Sequence, residues 1–368
     1  MKNEASDPRT GFRIVTSTGR SITTGSDMPH RLTLLNAWLQ DILDTRAFRL
    51  KPASTDASFR RYFRLEVGEA SYIVMDAPPA QENCQSFVSI ATLLANVGVH
   101  VPSVQSADMR RGFLLLEDLG SAHYLDVLDN GNAERLYGDA FAAMATFQAC
   151  APTNGLPNYS ETLLHAEMEL FLDWFLIRHL QINLTDAERS RLAELFGVLC
   201  RAALEQPQVF VHRDYHSRNL MMHQRHNPGI LDFQDAVRGP VTYDLVSLLR
   251  DVYICWSSDQ VGKWIAGYHD LALQHGILEE EDPSVFRRWF DLMGVQRHLK
   301  VAGIFSRLNY RDGKSRYLKD ITLAVGYLSE VCARYAELKS LCDLFQVWSL
   351  NERLAERNAA VAIRSQQH

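Results

Sequence analysis

The spacing of apolar and polar positions divides this 368-residue chain near residue 120. Before that point, apolar residues recur at helical spacing in two segments, one that begins at Arg31 and one over 85–97. The remaining apolar positions form the short runs that are typical of strands. These runs predict strands at 59–65, 72–75 and 112–120 and a short strand or extended entry segment at 99–104, with the small residues at 54–58 forming the turn of a hairpin.

After residue 120 the helical period dominates, and it predicts helices over 121–129, 133–149, 160–180, 185–205, 243–252, 258–275, 283–308 and 315–336. Three short apolar runs interrupt it, at 209–211, 220–222 and 229–231. We therefore predict an α+β protein with a small antiparallel-sheet N-lobe over 29–119 and a larger helical C-lobe over 120–340. Residues 1–28 are expected to form a disordered tail, and 341–368 a terminal helix or tail.

Composition narrows the class of protein. A net charge of -6 and a pI near 6.1 argue against nucleic acid or an anionic membrane as the main partner. No apolar run reaches the roughly eighteen residues of a membrane span, and the N-terminus does not resemble a signal peptide. The six cysteines include no C-x-x-C pair, so we expect reduced thiols in a cytoplasmic protein and no zinc site.

One compact polar set carries the candidate chemistry. Asp214 and Asn219 follow the apolar run 209–211 in the spacing H-x-D-x-x-x-x-N, and Asp232 follows the run 229–231. Phosphoryl transfer from ATP needs a group that takes the proton of the acceptor hydroxyl and metal ions that bridge the phosphates. We predict that Asp214 is the base and that Asn219 and Asp232 bind Mg²⁺, which prefers oxygen ligands. The alternative is a polar loop that caps a buried hairpin.

These residues and several further segments resemble the aminoglycoside-phosphotransferase-like branch of the protein-kinase-like fold. Within that branch, the chain is similar to the bacterial anomeric sugar kinases that phosphorylate N-acetylmuramate and N-acetylglucosamine during cell-wall recycling. The resemblance extends from about residue 32 to 338. It rests on the segments 56–64, 72–79, 113–120, 209–220, 229–235, 239–245 and 294–300.

The resemblance implies a two-lobed protein-kinase-like fold with ATP and Mg²⁺ as cofactors, and it gives the three polar residues the same roles. It places the adenine-binding hinge at 115–119, so Glu117 and Leu119 are predicted nucleotide contacts. A solvated turn is the alternative for Glu117. We expect His212 to be structural and Asp244 to cap the helix that begins there.

The predicted phosphate contacts depart from the wider kinase pattern. The strand position that usually carries a lysine falls within 73–76, which has none, and the helix that usually supplies its glutamate partner has Phe87 there. We predict that Arg60 or Arg61 replaces the lysine, because a guanidinium pairs well with phosphate. The alternative is a solvated strand face. Backbone N–H groups of the preceding turn, including that of Ser58, are expected to cover the phosphates.

Substrate recognition is expected from the helical lobe. Arg297 and Lys300 are three residues apart and so share a helical face. The lactyl carboxylate of N-acetylmuramate, a substrate that the resemblance implies, would favour such a basic site. His216 and Arg238 lie near the catalytic loops in sequence and are further candidates. For each of these four residues, a surface or structural salt bridge is the alternative.

Three functions fit these predictions. The first is an anomeric amino-sugar kinase, whose product, as the resemblance implies, would feed a nucleotidyltransferase that makes a UDP-sugar. The second is a kinase of the same fold for an aminoglycoside, choline or a similar alcohol. The third is a catalytically weak nucleotide-binding scaffold, which the missing lysine favours and the intact polar set opposes. Protein-kinase activity is not expected, because only seven residues separate Asp232 from Pro240.

Overall fold

The computed structural model describes residues 28–55, 59–279 and 282–365. The chain divides after Phe48 into two compact units. The described part of the first unit contains the helix α1 (Met28–Leu43), which carries Leu35, Trp38 and Leu39 at the spacing from which the sequence predicts it. Residues 1–27, almost the whole of the predicted tail, lie outside the described part.

The second unit begins with a five-stranded antiparallel sheet. Its elements are β1 (Arg49–Thr55), β2 (Arg61–Val67), β3 (Ala70–Asp76), α2 (Cys84–Asn96), β4 (Val104–Asp108) and β5 (Phe113–Glu117). The strand order is β1-β2-β3-β5-β4, so β3 lies at the centre and β1 and β4 form the edges. Phe87, Ile90 and Leu94 of α2 belong to the hydrophobic core.

Strand β1 is not predicted from the sequence. Its central proline, Pro52, has no N–H for a sheet, and such a residue is tolerated only at an edge or a bulge. The structure provides both, because β1 is an edge strand whose register with β2 shifts between Pro52 and Ser54. Ser54 and Thr55 of the predicted turn belong to β1 and pair with β2, and β2 and β3 are joined by Gly68 and Glu69. Residues 56–58, including Ser58, lie outside the described residues.

Strand β4 lies at 104–108, so of the two alternatives predicted for 99–104 the strand is wrong, apart from its last residue, and the segment instead leads into β4. The apolar residues Val99 and Val101 are buried in the extended segment before it. Strand β4 itself is mostly polar and alternates between half-buried and exposed positions, as an edge strand does. The apolar residues before position 104 therefore do not mark the position of the strand itself.

The rest of the second unit is mainly helical. It begins with α3 (Tyr124–Val127), α4 (Ala133–Cys150), α5 (Glu161–Leu170), a π-helix (Phe171–His179) and α6 (Asp186–Leu204). Two small antiparallel ladders follow, β6 (Gln208–Val211) with β9 (Val237–Pro240) and β7 (Leu220–Met221) with β8 (Gly229–Ile230). The last elements are α7 (Tyr243–Leu249), α8 (Ser258–Gln274), α9 (Pro283–Asp312), a 3-10 helix (Ser315–Asp320), α10 (Ile321–Cys332), a second 3-10 helix (Ala336–Leu338), α11 (Lys339–Val347) and α12 (Leu350–Ser365). The predicted α+β class is confirmed.

Helix α9 is the centre of the helical lobe. It contacts α5, the π-helix, α6, α7 and α10 along its 30 residues. Gly303 permits the closest of these approaches, because a Cβ at this position would lie 2.4 Å from the carbonyl carbon of Leu170. The helix also buries Arg297 and Lys300, which require partners in the interior. Among the described helices, none is both long and apolar enough to cross a membrane.

Candidate active site

The loop between β6 and β7 carries the predicted base, and Asp244 fixes its backbone. The buried carboxylate of Asp244 accepts the backbone N–H groups of His212 at 2.7 Å and of Arg213 at 3.0 Å. Arg213 has a φ of 77°, a left-handed conformation that must be held by its surroundings. Burial raises the pKa of Asp244 to about 7 despite these two bonds. The cap of α7 is Thr242, so the predicted capping role of Asp244 is wrong.

Asp214 lies on this loop with an available carboxylate. Its side chain is half-buried, and no group in the described part of the chain donates a hydrogen bond to it. Burial acts to raise the pKa of Asp214, but the positive charges of Lys300, His216, Arg213 and Arg297 outweigh burial and the pKa lies below its usual range. The group is therefore ionised at neutral pH and can accept a proton from a hydroxyl placed against it.

His212 is a brace between the two halves of the site. Its Nδ1 accepts the backbone N–H of Asp214 at 3.2 Å, and its Nε2 lies 2.9 Å from the carbonyl oxygen of Leu231. Burial lowers the pKa of His212 to about 4, so the ring is neutral at pH 7. This environment agrees with the structural role predicted for the residue.

Asn219 and Asp232 lie at the same end of the β7–β8 hairpin. Leu220 pairs with Ile230, and the N–H of Leu231 donates to the carbonyl oxygen of Asn219 at 2.9 Å. The residue after Leu231 is Asp232, whose φ of 61° turns the chain out of the hairpin. The hairpin thus brings together two side chains that are separated by twelve residues in the sequence.

This pair fits a magnesium ion that is also bound by phosphate. The Nδ2 of Asn219 donates to the carbonyl oxygen of Asp214 at 2.9 Å, which leaves Oδ1 for a cation. The carboxylate of Asp232 accepts Nε2 of Gln234 at 2.8 Å and retains further acceptor capacity. The described residues contain no cluster of three or more His, Cys, Asp or Glu side chains for a metal. The other ligands would then be phosphate oxygens and water, as is usual for Mg²⁺.

The structure separates the two candidate phosphate-binding arginines. Arg61 pairs with the fully buried Asp76, which lies directly opposite it on β3. Arg60 instead extends to the predicted magnesium ligand Asp232, with Nη2 3.5 Å from its Oδ1, and Nε of Arg60 lies 3.7 Å from Glu82. Arg61 is thus committed to a buried carboxylate, and Arg60 is the cation beside the predicted phosphate position.

A cavity of about 560 Å³ lies between the sheet and the helical lobe. Its walls include the hinge residues Leu116 and Leu119 on one side and Asn219 and Asp232 on the other. Apolar side chains such as Ile73, Phe87, Met221 and Leu231 cover its interior. A mostly apolar pocket with a few polar groups at one end suits a nucleoside whose phosphates extend toward a metal.

The Glu117 side chain forms hydrogen bonds with residues next to the hinge. Its carboxylate accepts Oγ of Ser103 at 2.8 Å and the N–H of Ser103 at 3.2 Å, and His100 Nε2 lies at 3.4 Å. Burial acts to raise the pKa of Glu117, but these hydrogen bonds hold it below its usual range. Glu117 therefore supports the hinge through its side chain, and the backbone of 117–119 stays the predicted contact for adenine.

The predicted substrate residues Lys300 and Arg297 lie behind the catalytic loop and are buried. Lys300 Nζ lies 3.0 Å from Glu167 Oε1 and 2.9 Å from the hydroxyl of Tyr243. Arg297 Nε donates at 2.6 Å to Ser247, whose hydroxyl in turn donates to the carbonyl oxygen of Arg213. Both cations are thus used to support the loop, and they also act electrostatically on Asp214.

Glu167 is the residue of this network that the sequence predictions missed. It is buried, and it accepts hydrogen bonds from Tyr159, Arg213 and Lys300. Burial acts to raise the pKa of Glu167, but the charges of Lys300 and Arg213 outweigh burial. The pKa therefore lies below its usual range, and the group is ionised. Its only sequence signal is an acidic residue next to Met168 on the apolar side of α5. An acidic residue at a core position requires a buried partner, and this requirement could have identified it.

The two remaining predicted substrate residues lie in different environments. The His216 ring packs against Tyr253 with 5.5 Å between centroids, and its Nδ1 is buried without a hydrogen-bond partner among the described residues. Burial lowers the pKa of His216. Arg238 is exposed on β9 opposite Phe210, so the structure does not bring it into the cavity wall.

Comparison with known proteins agrees with this geometry. The profile of the phosphotransferase enzyme family matches residues 49–283. A Pseudomonas aeruginosa protein named N-acetylmuramate/N-acetylglucosamine kinase is 47% identical over 324 residues, which cover 85% of this chain and 96% of that protein. A Neisseria meningitidis protein of the same name is 40% identical over 322 residues, which cover 86% and 95%. These matches confirm the family resemblance that the motifs indicate.

Solved structures confirm the two-lobed kinase-like fold. The ADP-bound aminoglycoside phosphotransferase APH(2'')-Ib superposes with a TM-score of 0.54 at 14% identity, over 81% of this chain and 98% of that one. A Plasmodium vivax ethanolamine kinase superposes with a TM-score of 0.58 at 11% identity, over 84% and 89%. At such low identity, the similarity concerns the fold alone.

Proposed function

The chain belongs to the phosphotransferase enzyme family, and on that premise we propose that it transfers the γ-phosphoryl group of ATP to the anomeric hydroxyl of N-acetylmuramate and N-acetylglucosamine. The names of the two relatives at 47% and 40% identity support this choice of substrate. The observation that carries the proposal is the ionised carboxylate of Asp214, which accepts no hydrogen bond from the described residues and lies on the loop that ends at the oxygen ligand Asn219.

The chemistry assigned to this chain is proton transfer and positioning. Asp214 accepts the proton of the anomeric hydroxyl while the sugar oxygen forms its bond to the γ-phosphorus. The bond from that phosphorus to the bridging oxygen breaks, and ADP leaves. Asp244 and His212 hold Asp214 in place through the loop backbone, so the carboxylate needs no rearrangement before it accepts the proton.

Asn219 and Asp232 would hold Mg²⁺ on the phosphate side of the cavity. When bound, the ion neutralises charge that develops on the phosphate oxygens. Arg60 lies close enough to Asp232 to add a second positive group there. The hinge backbone and the apolar cavity wall hold the base of the nucleotide and exclude water from it.

Cationic alcohols such as choline or an aminoglycoside are less suited to this site. Four positively charged or titratable groups, from Lys300, His216, Arg213 and Arg297, act on Asp214. A cationic substrate placed against Asp214 would be repelled by them. A neutral or anionic sugar would not be repelled by these groups.

The product would be a sugar 1-phosphate, which is the substrate class of nucleotidyltransferases that make UDP-sugars. We therefore place the reaction before such an enzyme in peptidoglycan recycling and expect it in the cytoplasm, where ATP is available. None of the six cysteines, all of which lie in the described part, forms a disulfide, in keeping with a reducing compartment.

ADP release in the presence of Mg²⁺-ATP tests the proposal. The substrates are N-acetylmuramate, N-acetylglucosamine, glucose, kanamycin and choline, and Asp214→Asn is the matched variant. We expect turnover on the two N-acetyl sugars and its loss in the variant. Turnover on kanamycin or choline alone would contradict the proposed substrate, and no turnover on any compound would favour a scaffold.

A further inference from the structure

The acidic side chains in the cavity wall accept hydrogen bonds from other groups of the protein. Glu117 accepts from Ser103, and Asp118 binds Arg64 through both Nε and Nη2, at 2.7 and 3.0 Å. Asp126 accepts the backbone N–H of His123 at 3.1 Å, and Asp232 accepts from Gln234. Apart from Asp232, which keeps acceptor capacity for Mg²⁺, the carboxylates of the wall are therefore paired or hydrogen-bonded within the protein.

Two arginines of the same wall have no such partner. Neither Arg218 nor Arg316 forms an ion pair with a carboxylate of the described residues, although both line the cavity. Asp320 is near enough for the charge of Arg218 to act on it, yet burial raises the pKa of Asp320 and no salt bridge forms. The cavity therefore presents two uncompensated guanidinium groups, which is the arrangement expected of an anion site.

A row of aromatic rings connects these two arginines. The guanidinium of Arg218 lies 3.6 Å from the ring centre of Tyr253. Tyr253 stacks on Phe305 at 6.3 Å, and Phe305 contacts Tyr317 at 5.3 Å. Arg316 lies over the Tyr317 ring at 5.0 Å and donates to its hydroxyl at 3.1 Å. Of these three rings, only Tyr317 lines the cavity, and Phe305 is buried.

The row begins beside the catalytic loop. Tyr253 contacts His216, which follows Asp214 by two residues, and Arg218 directly precedes Asn219. Of the two arginines, Arg218 is therefore the one that lies next to the candidate catalytic residues in the chain. Arg297 and Lys300 are buried and do not line the cavity. Lys300 is bonded to Glu167 and Tyr243, whereas Arg297 bonds Ser247 through Nε and its Nη1 has no hydrogen-bond partner among the described residues.

We propose that Arg218 and Arg316 bind the substrate's carboxylate and so select N-acetylmuramate over N-acetylglucosamine. The two sugars differ by the lactyl ether, which supplies the only carboxylate. This inference rests on the proposed function and assigns its substrate specificity to residues that the sequence predictions did not include. The nucleotide phosphates are the competing anion, and Arg60 with the metal-binding pair already marks their position.

The test compares kcat/KM for both sugars in the wild type, Arg218→Gln and Arg316→Gln at saturating Mg²⁺-ATP. A lost charge-assisted hydrogen bond is expected to reduce kcat/KM for N-acetylmuramate about 10- to 100-fold. N-acetylglucosamine and the methyl ester of N-acetylmuramate should change by less than about threefold, because neither carries the negative charge. Arg311→Gln is the control, since Arg311 is exposed and already bonded to Asp312.

Three outcomes separate the possibilities. Selective loss of N-acetylmuramate in Arg316→Gln supports the inference even if Arg218→Gln disturbs the adjacent loop. An equal loss for both sugars with a raised KM for ATP, or an unchanged ratio between the sugars, overturns it and leaves the proposed function intact. A wild-type protein that phosphorylates neither sugar contradicts the proposed function itself and, with it, this inference.

Discussion

The Nε2 of His212 lies 2.9 Å from the carbonyl oxygen of Leu231, so one neutral ring joins the loop of the base to the strand end that carries Asp232. The other ring nitrogen accepts the N–H of Asp214. The base and the metal ligand are therefore set relative to each other by a single side chain.

Replacing His212 by Phe should lower both stability and turnover. The substitution preserves the ring but leaves the Leu231 carbonyl and the Asp214 N–H without partners, at a cost of about 2 to 4 kcal/mol in the free energy of unfolding. The value of kcat should fall more than the affinity for ATP, because the hinge does not depend on this ring. Urea unfolding and steady-state kinetics measure both effects, with the exposed His226→Ala as the control. Equal kcat in His212→Phe and the wild type would show that the brace is unnecessary.

Arg60 and Arg61 should respond to substitution in opposite ways. Arg61→Ala removes the ion pair that Arg61 forms with the buried carboxylate of Asp76, so we expect a loss of about 3 to 5 kcal/mol in unfolding free energy. Arg60→Ala removes a cation near Asp232 and should raise the KM for ATP or lower kcat with little loss of stability. Denaturant unfolding and ATP kinetics of the two variants test this prediction. A stability loss in Arg60→Ala together with altered ATP kinetics in Arg61→Ala would contradict it.

The pKa of Asp214 should depend on Lys300 more than on Arg297. After burial, Lys300 is the strongest influence on this pKa and Arg297 a weaker one, and both lower it. Removing either charge should raise the pKa and move the acidic limb of the kcat/KM profile to higher pH, because the base is protonated sooner as pH falls. We expect a larger displacement for Lys300→Met than for Arg297→Met in pH profiles of the variants that remain folded. Identical acidic limbs in all three proteins would rule out this electrostatic support.

Stability should fall in mild acid because of buried neutral histidines such as His298. Its Nε2 bonds the carbonyl oxygen of Arg250 at 3.0 Å, and burial lowers its pKa from 6.5 to about 3. The unfolded chain therefore binds a proton below pH 6.5 that the folded chain does not, so this contribution is complete above pH 6.5 and is lost as pH falls towards 3.

His298→Gln tests this dependence, since glutamine can donate to the same carbonyl but does not titrate. Between pH 4.5 and 6, the unfolding free energy of the wild type should rise with pH more steeply, by up to about 1.4 kcal/mol per pH unit. Urea denaturation at several pH values gives the two slopes. Parallel slopes would mean that His298 titrates alike in the folded and unfolded chains.

Local sequence signals predicted that Asp214, Asn219 and Asp232 lie close together, because their spacing along short apolar ladders is a feature of neighbouring residues. In the structure, Asn219 and Asp232 line the cavity, and the Asn219 side chain bonds the backbone of Asp214. The long amphipathic helices were likewise evident from periodicity. By contrast, β1 was missed because Pro52 and two basic residues hide an edge strand that only its partner β2 stabilises.

The parts of the site that depend on distant contacts could not be derived from spacing. The 3.0 Å bond between Lys300 and Glu167 joins residues 133 positions apart, so the shared face of Arg297 and Lys300 said nothing about which carboxylate they meet. The cavity position of Arg316 depends in the same way on where the 3-10 helix after α9 packs. Helical period specifies a face, whereas tertiary packing decides what that face contacts.

The most direct test of the central claim is the position of the transferred phosphate on N-acetylmuramate, measured for the wild type and Asp214→Asn. We predict that the wild type forms an acid-labile phosphate whose phosphorus couples to the anomeric proton in ³¹P NMR, and that Asp214→Asn forms it at least about 1,000-fold more slowly while it still binds ATP. An acid-stable phosphate at another hydroxyl, or equal rates in the two proteins, would contradict Asp214-assisted transfer to the anomeric oxygen.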